Sequence, residues 1–347
     1  MKKWVAELTA SSDVTPQPIR WLWDGWLAGG KLILLAGAGG SGKTTLCLGI
    51  AAIISTGRAW PDGAANPGPG NVLIWSAEDD ISDTLKPRLM AADADHERIF
   101  FVSGRRNEHG ELQPFNPARD FSLLNERAEN IGGVSLLLID PIVALVAGDM
   151  HRANDVRSAL QQLVDFAARW DCAILGITHL AKSSQQSSPA DRLIGSQAFS
   201  ALARTVLIAT QSEGSDTRVF VRAKSNIGPD HGGITYTIEE IEVATGITAT
   251  RASWGESIDG NARELLAEFE QTESGPQRSE LQGAVRFLQE ALANGPVATN
   301  QLKSDASNSG LAWGTVRRAR EKMSIVVNKC GMEGGWTWAL APEGAQT

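Results

Sequence analysis

The chain has few of the residues that an oxidised or membrane-bound protein would need. Its three cysteines, Cys47, Cys172 and Cys330, are widely separated and form no C-x-x-C pair. That spacing argues against a disulfide framework and a zinc site, and makes the reduced thiols of a cytoplasmic protein the expectation. No apolar run approaches the ~20 residues that span a bilayer, so no membrane association is expected. The start, Met1-Lys2-Lys3-Trp4, leads into no apolar stretch of a secretory leader. Positive charge is also scarce: 32 Lys and Arg face 40 Asp and Glu, a net charge of −8. A strongly basic architectural DNA binder is thereby excluded, whereas a motor that grips nucleic acid in a narrow channel is not. Tyrosine is nearly absent, with Tyr236 alone beside 11 tryptophans. Composition offers no reason for that bias.

What the chain does have is one strong motif. Gly37-Ala38-Gly39-Gly40-Ser41-Gly42-Lys43-Thr44 fits the pattern G-x-x-x-x-G-K-[ST]. It follows the apolar run Leu32-Ile33-Leu34-Leu35, which has the length of a buried strand. It precedes Thr45 to Ile54, which reads as a buried helix. Strand, glycine loop and helix in that order give the pattern its specificity. Glycines let backbone N–H groups converge on phosphate oxygens, and the helix start adds a positive dipole end. Lys43 is expected to reach the β- and γ-phosphates and the Thr44 hydroxyl to ligate Mg²⁺, with Thr45 completing the nucleotide-binding set. ATP and Mg²⁺ are the expected cofactors.

A phosphate loop alone does not separate a kinase or a GTPase from a motor or a switch, so the ends of the other apolar runs matter. Asp140 closes Leu136 to Ile139, where a second Mg²⁺-organising carboxylate of a phosphate-loop ATPase belongs. Glu78, in Ser76-Ala77-Glu78-Asp79-Asp80, follows the preceding run and can polarise an attacking water. Asp79 and Asp80 are alternatives for that role. His179 ends Ile177-Thr178 and can contact the γ-phosphate. The polar loop from Ala181 to Asp191 carries Lys182 and adjoins Arg192. It reads either as a plain surface loop or as a DNA-contacting loop coupled to hydrolysis.

The apolar runs at 71–75, 99–102, 135–139, 173–177 and 205–209 are four or five residues long and do not alternate. Such runs suit a sheet covered by helices on both faces. Between them, Asp155 to Trp170 carries Val156, Leu160, Leu163 and Phe166 on one helical face. The fold class is therefore α/β, with a mainly parallel central sheet. Runs at 218–222 and 233–238 alternate and read as antiparallel additions. The polar stretch from Glu270 to Gln277 reads as a linker. Three helical segments and a hairpin then give the outline of a small C-terminal winged-helix domain. The expected division is an N-terminal segment 1–18, a core 19–262, a linker 263–279 and the winged-helix-like domain 280–347. The last 71 residues hold eight Lys and Arg against six Asp and Glu, a reversal of the balance elsewhere. Arg317, Arg318 and Arg320 lie on the third helix, where a basic helix suits phosphate contacts and groove insertion. Protein docking is the alternative use of such a module.

Taken in order, several segments resemble the RecA-like ATPases of the RepA type, hexameric replicative helicases of plasmids and mobile elements, and their AAA_25-type relatives. Besides the phosphate loop they are Trp21-Leu22-Trp23-Asp24-Gly25, Ser76 to Asp80 with Arg88-Leu89, Leu138-Ile139-Asp140-Pro141, Thr178 to Lys182, Gly195-Ser196, Ala203-Arg204 and Ala223 to Pro229. The resemblance runs from about Ile19 to Trp254. It implies a RecA-like P-loop NTPase core that assembles into a homo-oligomeric ring, a hexamer, with each ATP site at a subunit boundary. Single-stranded DNA and other replication proteins are the implied partners. Lys43, Thr44, Glu78, Asp140 and His179 would act in one subunit. Arg204 would be the neighbour's arginine finger, Lys224 a second contact in trans, and Arg88 would lie near the adenine. Asn226 stands where related ring helicases often carry a basic residue. The implied activity is a DNA helicase driven by Mg-ATP in replication of a mobile element. A DNA-binding regulatory or loader ATPase without unwinding activity, and a kinase, are the competing readings.

Overall fold

The computed structural model describes residues 6–180, 188–193, 197–211, 215–270, 276–323, 325–329 and 335–340. Chain contacts divide it into two units, Met1–Ala209 with Phe220–Ala262, and Thr210–Val219 with Arg263–Thr347.

The first unit begins with a short hairpin of β1 (Trp21–Trp23) and β2 (Leu27–Ala28). Next comes the strand–loop–helix that the glycine motif demands. Strand β3 (Leu32–Gly37) is buried along its whole length, and α1 (Lys43–Thr56) starts at the motif lysine. Helix α1 is apolar nearly all round and buried on nearly every face, as befits an inner helix. It lies against the core strands and against the last long strand of the sheet. Then follow β4 (Val72–Ser76), a π-type turn Ile81–Leu85, α2 (Lys86–Ala91) and β5 (Ile99–Phe101). A small hairpin, β6 (Arg105–Arg106) with β7 (Leu112–Gln113), leads to α3 (Pro117–Asp120) and α4 (Leu124–Asn130). The remaining core elements are β8 (Leu136–Asp140), α5 (Ala153–Trp170), β9 (Ala173–His179), α6 (Gln197–Leu202) and β10 (Thr205–Gln211). Strands β11 (Arg218–Ser225), β12 (His231–Ala244) and β13 (Ile247–Asn261) complete the sheet.

These strands form one nine-stranded sheet in the order β13-β12-β11-β10-β3-β9-β8-β4-β5. From β10 to β5 every neighbouring pair is parallel, while β12 and β13 are antiparallel. A large, mostly parallel sheet with helices packed on it is the core of a phosphate-loop NTPase. Strand β9 separates the phosphate-loop strand from the Asp140 strand, so three functional strand ends stand side by side. The antiparallel extension is longer than its sequence suggests: β12 and β13 span 14 and 15 residues. Only 233–238 of it has strong β alternation; the rest, rich in Thr, Ser, Ala and Gly, pairs through its backbone.

Four of the tryptophans, Trp23, Trp26, Trp60 and Trp254, gather in one cluster. Trp23 is fully buried and stacks on Trp60 at 4.5 Å and Trp26 at 5.0 Å, with Phe220 and Trp254 close by. The Arg222 guanidinium lies 4.5 Å above Trp26, a cation–π contact. The indole N–H groups are also used: Trp23 donates to Asp62 and Trp60 to the Leu22 carbonyl. The Trp21 to Gly25 segment is thus the anchor of an aromatic cluster, which fits its place ahead of the first core strand.

In the second unit, α7 (Ala262–Glu270) occupies part of the stretch expected as linker. Its Leu265, Leu266 and Phe269 are buried; residues 271–275 lie outside the described residues, and α8 (Pro276–Leu292) follows. Then come β14 (Val297–Ala298), α9 (Thr299–Asn308), α10 (Trp313–Lys322), β15 (Ile325–Lys329) and β16 (Trp336–Leu340). The three strands pair in the order β14-β16-β15. Leu288, Leu292, Leu302, Val316 and Trp338 form the unit's own core.

Candidate functional site

Parallel register brings the chemistry to one end of the sheet. Gly37 of β3 is level with His179 of β9, and Ser76 of β4 with Asp140 of β8. Beyond Gly37 the loop turns through Gly40 and Gly42, whose φ angles of 78° and 79° lie in the left-handed region that favours glycine. Gly37 is fixed by space instead, since a Cβ there would lie 2.3 Å from the Ala209 carbonyl oxygen.

Lys43 points back along the loop, its Nζ donating to the carbonyls of Gly37 (3.1 Å) and Ala38 (2.9 Å). Burial pushes its pKa below the ordinary lysine value, and Asp140 and Glu78 pull the other way. The Thr44 hydroxyl donates to Asp140 Oδ2 at 2.8 Å. Asp140 is only 1% exposed. Burial, with Glu78 and Asp79 adding to it, raises its pKa to about 6 against the opposing Thr44 hydrogen bond and Lys43 charge. A buried carboxylate beside a hydroxyl is a pair of hard oxygen donors, and its raised pKa registers charge that lacks full compensation. That donor set fits Mg²⁺ bound through one or two protein oxygens with phosphate oxygens completing the shell.

The three acids after β4 divide their work. Asp80 caps the turn Ile81–Leu85, accepting from the Ser82 and Asp83 N–H groups. Asp79 is held by Arg88 at 2.9 Å. Glu78 is left half-exposed with Oε1 3.9 Å from His179 Nε2. The Ser76 hydroxyl shapes the turn by accepting from the Glu78 and Asp79 N–H groups. Thus Glu78 and His179 stand together beside the loop, and Arg88 is the partner of Asp79.

Arg204 lies at the opposite end of the sheet. Its N–H donates to the Leu32 carbonyl at the start of β3, and its carbonyl accepts from Asn226. Leu32 is five residues before Gly37, which at ~3.3 Å per residue places Arg204 about 17 Å below its own phosphate loop. Lys224 is near the same end, its Nζ donating to the Ser200 carbonyl at 2.5 Å. The Arg204 side chain is exposed. Arg192 is half-buried at the end of the turn Pro189–Arg192, while Lys182, Gly195 and Ser196 lie outside the described residues.

Of the arginines expected to face DNA, Arg317 sits in the interior of the second unit. It is 8% exposed, ion-paired with Glu268 and 5.8 Å from the Phe269 ring centre. Its charge is consumed by packing, so it presents no surface to a phosphate. Arg318 donates to Thr315, and Arg320 lies 4.9 Å over the Trp338 ring. Sequence reading also missed one residue at the site. The Tyr236 hydroxyl donates to the Ser41 carbonyl of the phosphate loop at 2.8 Å. The signal was faint: a lone tyrosine on an alternating strand, 195 residues from its partner.

Among the described residues there is no cluster of three or more His, Cys, Asp and Glu side chains suited to a metal ion, and no helix is long and apolar enough to cross a membrane. No curated protein matches the chain. The family described as AAA domain (AAA_25) matches residues 3–185, more than half of the chain and the whole stretch from the phosphate loop to His179. With that match added to a phosphate loop on a mostly parallel sheet, the chain belongs to the AAA-domain family of nucleotide-dependent ATPases.

Proposed function

We propose that this ATPase is a ring-forming DNA helicase or translocase of the RepA type, coupling Mg-ATP hydrolysis to movement on single-stranded DNA. The observation that carries the proposal is the separation of two sets of groups. Lys43, Thr44, Asp140, Glu78 and His179 gather at one end of the sheet, and Arg204 and Lys224 lie near the other. An arginine whose backbone lies about 17 Å from its own loop, farther than its side chain reaches, can serve ATP only across a boundary between copies.

In this reading the loop N–H groups and Lys43 hold the phosphates, and Thr44 and Asp140 would hold Mg²⁺, which would supply charge neutralisation. Glu78 orients the attacking water and accepts its proton as the γ-phosphoryl passes to that oxygen and ADP leaves. His179, next to Glu78, senses the γ-phosphate. Arg204 from the next subunit neutralises charge in the transition state, with Lys224 beside it. The helix–strand–helix–helix–hairpin order of the second unit supports a winged-helix module. Its DNA contacts fall to Arg318 and Arg320 and not to Arg317, whose charge Glu268 takes. Arg192 and Lys182 are the candidates on the core.

A forked duplex with Mg-ATP tests the activity directly. Strand release dependent on Lys43 supports the helicase. Hydrolysis stimulated by single-stranded DNA without strand release favours the second reading, a DNA-binding loader or regulatory ATPase. A phosphorylated acceptor would point to a kinase.

A further inference from the structure

The glycines that let the phosphate loop bend also leave it loose. A Cβ at Gly39 or Gly40 would meet nothing within 4 Å, so one side of the loop is open. The bonds from Ser41 and Lys43 to the Ala38 carbonyl are internal to the motif. They hold the loop to itself but do not orient it in the domain. The Tyr236 hydroxyl supplies an external tie, reaching from β12 to the Ser41 carbonyl. Tyr236 is 1% exposed, stands opposite Trp254 in register and has that ring 6.3 Å away, so its hydroxyl is delivered by a packed side chain.

We propose that Tyr236 is a positioning residue for nucleotide binding: its hydroxyl, by fixing the Ser41 carbonyl, sets the direction of the N–H that follows. The peptide between Ser41 and Gly42 is planar and trans, so its C=O and N–H point in opposite directions. Holding the carbonyl toward β12 holds the Gly42 N–H away from it, on the loop's other side, where convergent N–H groups receive phosphate. A glycine-flanked peptide with no such tie is free to flip, and each flipped loop presents an oxygen to an anion. The long antiparallel extension thereby gains a purpose, because it carries the peg that keeps the loop in its binding form. A second contact, between the Thr45 and Thr250 hydroxyls at 3.5 Å, joins β13 to α1 just behind the loop.

This inference rests on nucleotide binding at the loop but not on helicase activity. The test is calorimetric titration of the full chain with Mg-ATPγS, alongside steady-state ATPase kinetics. Tyr236→Phe keeps the ring and removes the hydroxyl. It should weaken ATPγS binding about 5- to 30-fold and raise KM for ATP similarly, with kcat changed less than about threefold. Trp254→Phe alters the same packing without touching the loop, and should lower the melting temperature while leaving affinity within about twofold. Unchanged affinity in Tyr236→Phe overturns the proposal, as does an equal loss in both variants. If the wild-type chain itself fails to bind ATPγS, the phosphate-loop reading falls too. Should Tyr236→Phe not fold, biosynthetic 3-fluorotyrosine labels this residue alone, because the chain has one tyrosine. Its ¹⁹F resonance should move as Mg-ATPγS saturates the protein; a resonance that stays fixed at saturation contradicts the peg.

Discussion

The two ends of the central sheet are built to different rules. At the phosphate-loop end the polar groups have their partners within the subunit: Lys43 on two carbonyls, Thr44 on Asp140, Asp79 on Arg88 and Asp80 on a helix cap. At the other end Lys224 donates to the Ser200 carbonyl and the Arg204 backbone is tied to Leu32 and Asn226, while the Arg204 side chain is exposed. One end is organised to bind; the other presents an exposed arginine. On the proposed reading, binding is a property of one chain, whereas fast hydrolysis requires two.

That contrast can be broken in four ways. Arg204→Ala should have the largest effect on turnover, lowering kcat about 10³-fold, the lower end of what an arginine finger contributes, with ATPγS affinity unchanged. A parallel loss of affinity would place Arg204 in its own site and dissolve the distinction. Glu78→Gln should lower kcat about 10²-fold or more while ATP still binds; wild-type turnover would pass the base role to Asp79 or Asp80. Lys43→Ala should weaken ATPγS binding at least about tenfold, the cost of about one charged hydrogen bond, leaving the fold intact by circular dichroism.

The smallest effect concerns stability. The folded chain binds the Asp140 proton more tightly than an unfolded chain does, because the carboxyl pKa is raised to about 6. Stability therefore falls as pH rises from the ordinary carboxylate range through about 6, and the penalty is complete above it. Asp140→Asn should raise the melting temperature by a few degrees at pH 7.5 in chelator and lose that advantage near pH 4. A melting temperature unchanged at both pH values would show that the buried charge costs nothing.

Much of the binding end was legible in the sequence because each part is local. The glycine string writes its own turn, and aliphatic runs write strands whose last residues are Asp140 and His179. What stayed hidden depends on distant pairing. Trp23 and Trp60 come together from separate segments to stack, and Tyr236 reaches a loop 195 residues away. No local pattern announces either. Arg317 looked like a solvent-facing charge on a basic helix because its partner, Glu268, lies 49 residues earlier on a helix hidden in polar sequence. The far half of the β12–β13 hairpin has little apolar alternation, so backbone pairing forms strands there that side chains do not advertise.

The most direct test of the central claim is subunit mixing. On this account Arg204→Ala and Lys43→Ala should each be defective alone, one lacking the charge given to a neighbour and the other the means to hold ATP. When the two are mixed at concentrations where native mass spectrometry detects oligomers, some boundaries pair an intact loop with an intact arginine. ATPase activity well above the sum of the separate variants is the predicted result. Mixed oligomers that form yet show only that sum would contradict a site shared between copies.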